Sequence, residues 1–399
     1  MSIRGKTAIV GVGATPYFKR GQSVPETEMS MACTAILAAL DDAGLTVNDL
    51  DGFAIYSNCC DPGTVGAVLG VPQVRFSASL TSGGGGSAGA LGLAAAAIEG
   101  GLAKVCVTLM TLQQSKRRLG ALVGPPTGSA NPYGGGGVPP KYAFKAVSGL
   151  ISPGHSFSVL TQRHMHLYGT KREHFAEVAI SQRKNAMNRP TALLRSELTL
   201  DDYFNAQMIS DPLCLFDYTM ESDGAVAVIT TSIERARDLR HLPVTILGAT
   251  HGSAGRWGPA IFDYFQMPDE YFASSGHRSV AQDLYALAGV GPEEIDVALL
   301  YDHFGPMVLM QLEDYGFCKI GESGDFVASG NIRYGTGSLP VNTHGGHLSE
   351  AYIIGMTHIR EGVEQLRGTA INQVEGAKHV LVTGGPAVAP VSGAILRRG

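Results

Sequence analysis

Two tyrosines lie among polar residues that could perform acid–base chemistry. Tyr301 follows an apolar run and begins the tetrapeptide YDHF, and Tyr352 ends the segment HGGHLSEAY. A phenol with its ordinary pKa near 10 is a poor base unless its anion is stabilised. We expect nearby imidazoles to lower the pKa of these phenols. The histidines in question are His303, His344 and His347.

Two glycine-rich turns could stabilise a negatively charged oxygen. SGGGGSAG at 82–89 precedes an Ala-rich run, and Thr383-Gly384-Gly385 follows an apolar strand. Backbone amides at a glycine turn that opens a helix point outward and suit an oxyanion. We take Gly84, Gly85 and Gly385 as the candidate donors, although a flexible turn without a catalytic role remains the alternative.

An internal repeat indicates how these residues are positioned. Residues 33–56 and 278–301 both read as an amphipathic helix, a glycine turn, an acidic link and a buried strand, and they align without a gap. Tyr56 matches Tyr301 in this alignment, so a tyrosine at that position can also be structural. A leading strand precedes each segment, at 7–15 and at 244–250.

A second pair of segments extends the repeat. Residues 83–110 read as a glycine turn, a helix and an apolar strand, and 344–366 followed by 376–385 give the same order, which places Tyr352 in a helix. Helices that alternate with apolar strands indicate parallel sheets covered on both faces.

We therefore predict an α/β protein of two similar βαβαβ halves. The predicted halves are residues 1–240 and 241–399, with an insertion at 113–215 in the first. The insertion begins with a Gly/Pro-rich loop at 124–140 and continues as helix from 156 to 188.

The composition excludes several classes of protein. Of 399 residues 44% are hydrophobic and 16% charged, and this sparse charge suggests a surface covered by a second subunit. A net charge of −5 gives no reason to expect nucleic-acid or membrane binding. Six scattered cysteines without a CxxC pair, and no apolar leader before the first strand, favour a cytoplasmic protein.

The whole chain resembles the thiolase superfamily, and its sequence motifs are most similar to those of the sterol-carrier-protein-X branch. The resemblance implies the thiolase fold, with two βαβαβ halves in five α-β-α-β-α layers and an inserted loop domain. The stretches that carry it are GHSFSVLTQRHMHLYGTKREHFAEVAISQRKNAMNRP (154–190), DPLCLFDYTMESDGAVAVITTS (211–232) and LEDYGFCKIGESGDFV…LPVNTHGGHLSEAYIIGMTHI (312–359).

The chain departs from thiolases at each catalytic position. Gly84 stands where thiolases carry the acylated cysteine. Tyr301 replaces the Asn or His of their NEAF-like loop, and Tyr352 replaces the histidine of their GHP motif. No cysteine follows Cys318, so the second thiolase cysteine is missing as well.

These departures resemble the thiolase-like aldolases of steroid side-chain degradation, which cleave β-hydroxyacyl-CoA thioesters by a retro-aldol reaction. The resemblance implies that Tyr301 and Tyr352 share the acid and base roles, in an order that the sequence leaves open. Gly84, Gly85, Gly385, His303, His344, His347 and Asp302 would support them. The products would be a ketone and a short acyl-CoA such as propionyl-CoA.

The same resemblance has implications for partners and cofactors. We expect a homodimer that works with a small OB-fold, zinc-ribbon protein that binds acyl-CoA, with the loop at 124–140 as a candidate docking surface. We expect no cofactor and no metal in this chain, and CoA only as part of the substrate. Two alternatives remain: a thiolase or acyltransferase with a displaced cysteine, and a non-catalytic lipid-binding or scaffold subunit.

Overall fold

The computed structural model describes residues 3–56, 60–80, 83–114, 147–150, 152–254, 272–387 and 390–399. Its strands are β1 (Thr7–Ala14), β2 (Phe18–Lys19), β3 (Gly52–Ile55), β4 (Phe76–Ser79), β5 (Val105–Leu112), β6 (Met208–Ser210), β7 (Leu213–Cys214), β8 (Ser222–Ser232), β9 (Val244–Gly252), β10 (Val297–Leu299), β11 (His379–Gly384) and β12 (Val391–Arg398). Its helices are α1 (Glu28–Ala43), α2 (Pro62–Leu69), α3 (Gly86–Glu99), α4 (Pro153–Tyr168), α5 (Arg172–Met187), α6 (Leu200–Asn205), α7 (Ile233–Ala236), α8 (Arg278–Ala288), α9 (Pro306–Asp314), α10 (Ser323–Ala328), α11 (Gly346–Ser349) and α12 (Met356–Arg367). Within these ranges no helix has the length and apolar character needed to cross a membrane.

Strands β6 and β7 form a separate two-stranded sheet, and one large sheet contains the other described strands of both halves. Its order is β10-β11-β12-β9-β1-β8-β5-β3-β4, and β9 and β1 pair antiparallel through Ala8–Thr245 and Ile9–Val244. On either side of this junction the order reads β1-β8-β5-β3 and β9-β12-β11-β10, so the predicted repeat appears as two matching sets of strands. The division at 240/241 falls between α7 and β9 and, like the bounds of the insertion, stays a prediction.

The pairing is mixed rather than parallel throughout, which corrects the expectation of parallel sheets. Among the described strands β3 pairs parallel with β4 and β5, and β10 pairs parallel with β11. By contrast β5–β8, β8–β1, β11–β12 and β12–β9 are antiparallel. The link from β11 to β12 spans only residues 385–390, and a link that short joins antiparallel strands.

Helices complete five layers around the two sets of strands. Helices α3 and α12 contact strands of both halves and form the middle layer, whereas α1 covers β1, β8 and β5 and α8 covers β9 and β12. Small residues let α3 lie close to its neighbours, since a Cβ on Gly92 would be 2.9 Å from the Cβ of Ala249. The arrangement matches the predicted order of α and β layers.

The insertion is helical where helix was predicted. The stretch predicted from 156 to 188 forms α4 and α5, which are separated at Gly169 in a left-handed conformation (φ 68°). The proposed docking loop at 124–140 lies outside the described residues.

The helix predicted to carry Tyr352 is wrong in its extent. The segment at 344–366 forms only the short helix α11 and then α12, with residues 350–355 irregular between them. Ile354 has φ 43° and Gly355 has φ 83°, conformations that no helix contains. Tyr352 therefore lies on an irregular link that ends at the start of α12.

Close packing of α1 on β1 generates a stability prediction. A Cβ at Gly13 would lie 2.2 Å from the carbonyl oxygen of Ala35, a distance that forces the helix away from the sheet. We expect Gly13→Ala to lower the free energy of unfolding by about 3 kcal/mol, measured by urea unfolding. The control Leu37→Ala, on the exposed face of the same helix, should change it by less than about 0.5 kcal/mol. Equal stability of Gly13→Ala and wild type would contradict this packing.

Candidate active site

The glycine turn before α3 has no room for a side chain. Residues Gly83–Gly85 form one 3₁₀ turn, and a Cβ at Gly84 would lie 2.5 Å from the hydroxyl oxygen of Tyr301 and 3.1 Å from the Cα of Gly385. A Cβ at Gly85 would lie 1.9 Å from the carbonyl oxygen of Pro390. The phenol of Tyr301 therefore occupies the space into which a side chain at position 84 would extend.

Tyr301 and Tyr352 form a hydrogen-bonded pair next to this turn. Their hydroxyl oxygens are 2.9 Å apart, and either can be the donor. Tyr301 is 1% exposed and Tyr352 9%, so the pair is buried but Tyr352 retains some access to solvent. The fold thus brings together two residues that are 51 positions apart in the sequence.

Backbone contacts fix both tyrosines. The amide of Tyr301 donates to Thr383 Oγ1 (2.9 Å), and the side-chain amide of Gln311 donates to the carbonyl oxygen of Tyr301 (2.8 Å). Thr383 in turn donates to Gln311 Oε1 (2.6 Å), which closes a ring of hydrogen bonds. The amide of Tyr352 donates to Ser222 Oγ at 3.1 Å. Sequence reasoning placed Thr383 only in a glycine turn and missed Gln311 and Ser222, because the roles of all three depend on segments that meet only in the fold.

Burial keeps both phenols protonated at neutral pH. Desolvation, with smaller contributions from Tyr352 and Tyr56, raises the pKa of Tyr301 well above its ordinary value. Burial also raises the pKa of Tyr352 to about 12. The expectation that neighbouring imidazoles lower these pKa values is therefore wrong in direction.

The three predicted histidines are neutral, again because they are buried. Desolvation lowers the pKa of His303 to about 3 and the pKa values of His344 and His347 well below 6.5. The His347 ring packs against Tyr301 and Tyr352, with centroids 4.5 and 5.0 Å apart. His303 packs against Tyr301 and Phe157. These imidazoles can shape the pocket, but they cannot supply positive charge to a phenolate.

His344 lies behind the pair. Its ring packs against His358, with centroids 4.7 Å apart, and its Nε2 is 3.9 Å from the carboxylate of Glu350. The prediction that it supports the tyrosines is thus limited to an indirect contact through His358.

Asp302 orients the start of α11. Its carboxylate accepts the amides of His347 (2.9 Å) and Leu348 (3.1 Å). His347 Nδ1 and His358 Nε2 lie 3.2 and 3.1 Å from the same oxygen, Asp302 Oδ1. The Gly355 amide donates to His347 Nε2 (3.1 Å), so this imidazole carries its proton on Nδ1, next to the carboxylate.

Within the described ranges, one group of side chains could hold a metal ion. Its members are Asp302, His347 and His358, whose ligand atoms all lie within 4.8 Å of one another. A closed tetrahedral zinc site needs four ligands. The backbone amides already bound to Asp302 favour an orienting role for this carboxylate.

The described cysteines are poorly suited to the nucleophilic chemistry that a thiolase needs. Cys60, Cys106 and Cys214 are buried, and Cys33 and Cys318 are partly buried. Burial raises the pKa of the Cys60 thiol to about 11 and that of Cys106 to about 12, which disfavours the reactive thiolate. Cys59 lies outside the described residues.

The chain has relatives along its full length. A family model described as thiolase C-terminal domain-like matches residues 262–397. The 17-hydroxy-3-oxo-4-pregnene-20-carboxyl-CoA lyase of Mycobacterium tuberculosis is 38% identical over 409 residues, covering 99% of this chain and 100% of the relative. The steroid side-chain-cleaving aldolase of Thermomonospora curvata is 39% identical over 405 residues, covering 98% of each.

A solved structure shares the same architecture. The Ltp2-ChsH2(DUF35) aldolase superposes with a TM-score of 0.90 at 37% sequence identity, covering 100% of this chain and 99% of that chain.

The contact between Gly84 and Tyr301 predicts the effect of restoring a side chain. Gly84→Ala places a methyl group against the Tyr301 hydroxyl, so we expect kcat to fall about 100-fold while the fold is retained. Gly84→Cys should lose activity to a similar extent and form no acyl-cysteine, because the sulfur competes with the phenol for space. Steady-state kinetics and circular dichroism check both, and full activity of either variant would contradict the packing described here.

Proposed function

Because this chain belongs to the thiolase-like, steroid side-chain-cleaving aldolases, a family of carbon–carbon lyases, we propose that it cleaves a steroid β-hydroxyacyl-CoA by a retro-aldol reaction. The observation that carries the proposal is the Tyr301–Tyr352 hydrogen bond of 2.9 Å, next to a glycine turn without space for a nucleophile. The reaction breaks the bond between Cα and Cβ of the acyl chain and needs no acyl-enzyme.

Proton transfer through the pair requires no charged phenol. The proton of the β-hydroxyl moves to one phenol oxygen while that phenol passes its own proton to the second tyrosine. In the same event the second tyrosine gives its own proton to Cα, as Cα receives the electron pair of the broken bond, so neither phenol carries two protons. The β-carbon leaves as a ketone, and both tyrosines end as neutral as they began. Raised pKa values in both phenols are compatible with this relay.

The glycine turns are the proposed site of enolate stabilisation. We assign the amides of Gly84, Gly85 and Gly385 to the thioester oxygen, which becomes negatively charged as the bond breaks. In support, the two turns touch, since a Cβ on Gly385 would lie 2.2 Å from the amide nitrogen of Gly85. One well-aimed donor of this kind lowers a barrier by about 3 kcal/mol.

The names of two relatives support the proposed class of substrate. One relative is named for a pregnene carboxyl-CoA and the other for a steroid side chain, which supports a steroid CoA thioester as the substrate. The expected products are a steroid ketone and a short acyl-CoA such as propionyl-CoA. CoA enters as part of the substrate, and the relay itself uses no cofactor.

The proposed assembly is a homodimer with a small OB-fold, zinc-ribbon partner that binds acyl-CoA. The name of the solved Ltp2-ChsH2(DUF35) aldolase, which includes a second protein, supports the partner. We place the complex in the cytoplasm.

Removing either hydroxyl should abolish the relay. We expect Tyr301→Phe and Tyr352→Phe each to lower kcat by about 10²- to 10⁴-fold, with the steroid ketone quantified by mass spectrometry. Tyr315→Phe is the matched control, because Tyr315 is also a buried tyrosine and is hydrogen-bonded to His277 (3.0 Å). Wild-type turnover by both active-site variants would refute the assignment. No cleavage of any β-hydroxyacyl-CoA by the wild type with its partner would favour the scaffold alternative.

The pH dependence separates a neutral relay from a phenolate base. Burial raises both phenol pKa values above 10, so the protonated forms persist up to that pH. We expect kcat to stay roughly constant between about pH 7 and pH 10. A phenolate base would instead give a kcat that rises about tenfold for each pH unit over this range.

A further inference from the structure

The link that carries Tyr352 is strained and irregular. Ile354, two residues after Tyr352, has φ 43°, which a β-branched residue adopts only at a cost. Such a conformation persists when the surrounding structure holds it in place. Because the hydroxyl of Tyr352 must stay within hydrogen-bond distance of Tyr301, whatever holds this link also sets the geometry of the pair.

A buried ion cluster holds the link from the side of the predicted insertion. Arg189 follows α5, and its guanidinium donates to Glu350, to Glu361 (2.7 Å) and to Glu364 (2.9 Å). We call these four residues the Arg189 cluster. The Arg189 side chain is 2% exposed and those of Glu350 and Glu361 are 0% exposed, so water barely screens the attraction.

The cluster spans the two ends of the link. Glu350 lies two residues before Tyr352, whereas Glu361 and Glu364 lie in α12, which starts four residues after it. Two further hydrogen bonds from uncharged donors hold Glu350 in place. Thr191 Oγ1 donates to the Glu350 carboxylate (2.8 Å), and the Leu193 amide donates to the Glu350 carbonyl oxygen (3.0 Å). The Arg189 guanidinium therefore connects Glu350, at the start of the link, to α12, which follows the link.

We propose that Arg189 is a positioning residue for the reaction: by joining Glu350 to α12 it fixes the Tyr352 hydroxyl opposite that of Tyr301. The role of Arg189 in catalysis rests on the proposed function of the tyrosine pair, whereas its role in placing Tyr352 does not. The segment at 189–193 thus acts on the chemistry through its contacts with Glu350.

Arg189→Lys tests the proposal. Lysine keeps the positive charge, but its three donors lie on one compact nitrogen, so it cannot reproduce the contacts that Nε, Nη1 and Nη2 of Arg189 make with three separate carboxylates. We expect kcat to fall roughly 10- to 100-fold with KM nearly unchanged, because the phenol moves while substrate binding does not depend on it. Arg333→Lys is the matched control: Arg333 makes a two-pronged contact with Glu177 (2.6 and 2.8 Å) outside the Arg189 cluster, and its replacement should leave kcat unchanged.

A spectroscopic readout separates positioning from catalysis. With 3-fluorotyrosine at position 352, the ¹⁹F resonance should shift or split in Arg189→Lys and stay unchanged in Arg333→Lys. An unchanged resonance in folded Arg189→Lys would overturn the proposal. A shifted resonance with unchanged kcat would leave the positioning role intact and refute the proposed role of Tyr352 in catalysis.

Thr191→Val provides a milder test if Arg189→Lys fails to fold. It removes one neutral hydrogen bond to Glu350 and leaves the charges in place. We expect kcat to fall about threefold at constant KM, together with a smaller ¹⁹F shift of the same sign. The absence of both changes would overturn the proposal.

Discussion

Steric exclusion between position 84 and the phenol of Tyr301 is the constraint on which the rest of the site depends. The Tyr301 hydroxyl fills the space that a side chain at position 84 would need, so a sulfur nucleophile and this phenol cannot both be present. Gly84 therefore does more than replace a cysteine, since its lack of a side chain leaves the space that the Tyr301 phenol occupies. The same close approach brings the turns of Gly84 and Gly385 next to the Tyr301 hydroxyl, where we propose that their amides serve the thioester oxygen.

Burial away from water determines the protonation state of the two phenols. In the part of the chain that the structure describes, Tyr301 and Tyr352 pack against His303 and His347, and burial lowers the pKa of both imidazoles, so these two rings supply no positive charge to a phenolate. A pair of neutral phenols in contact can instead exchange protons without separating charge in a poorly solvated space. Asp302, which accepts amides from the start of α11, supports this geometry by orienting His347 rather than by changing the charge of the phenols.

Much of this arrangement was readable from the sequence, and the limits have physical reasons. The repeat of 33–56 in 278–301 predicted two matching sets of strands, and the predicted thiolase-like fold and lyase activity are confirmed by the family to which the chain belongs. The helix predicted at 344–366 is interrupted at 350–355, where Arg189 binds Glu350 from 161 residues away and Ile354 and Gly355 have positive φ, and no local pattern contains such a contact. The direction of the phenol pKa shifts was also unpredictable, because a list of neighbouring histidines does not reveal that burial makes them neutral. The roles of Tyr301 and Tyr352 remain predictions, although the fold places them in contact.

The most direct test of the account is the mass of the intact protein during turnover. Rapid quenching of the enzyme with a β-hydroxyacyl-CoA substrate, followed by mass spectrometry of the whole chain, should show only the unmodified mass while ketone accumulates. A transient added acyl mass that maps to a cysteine, and that forms and decays at the rate of turnover, would contradict the central claim that carbon–carbon cleavage proceeds here without a covalent intermediate.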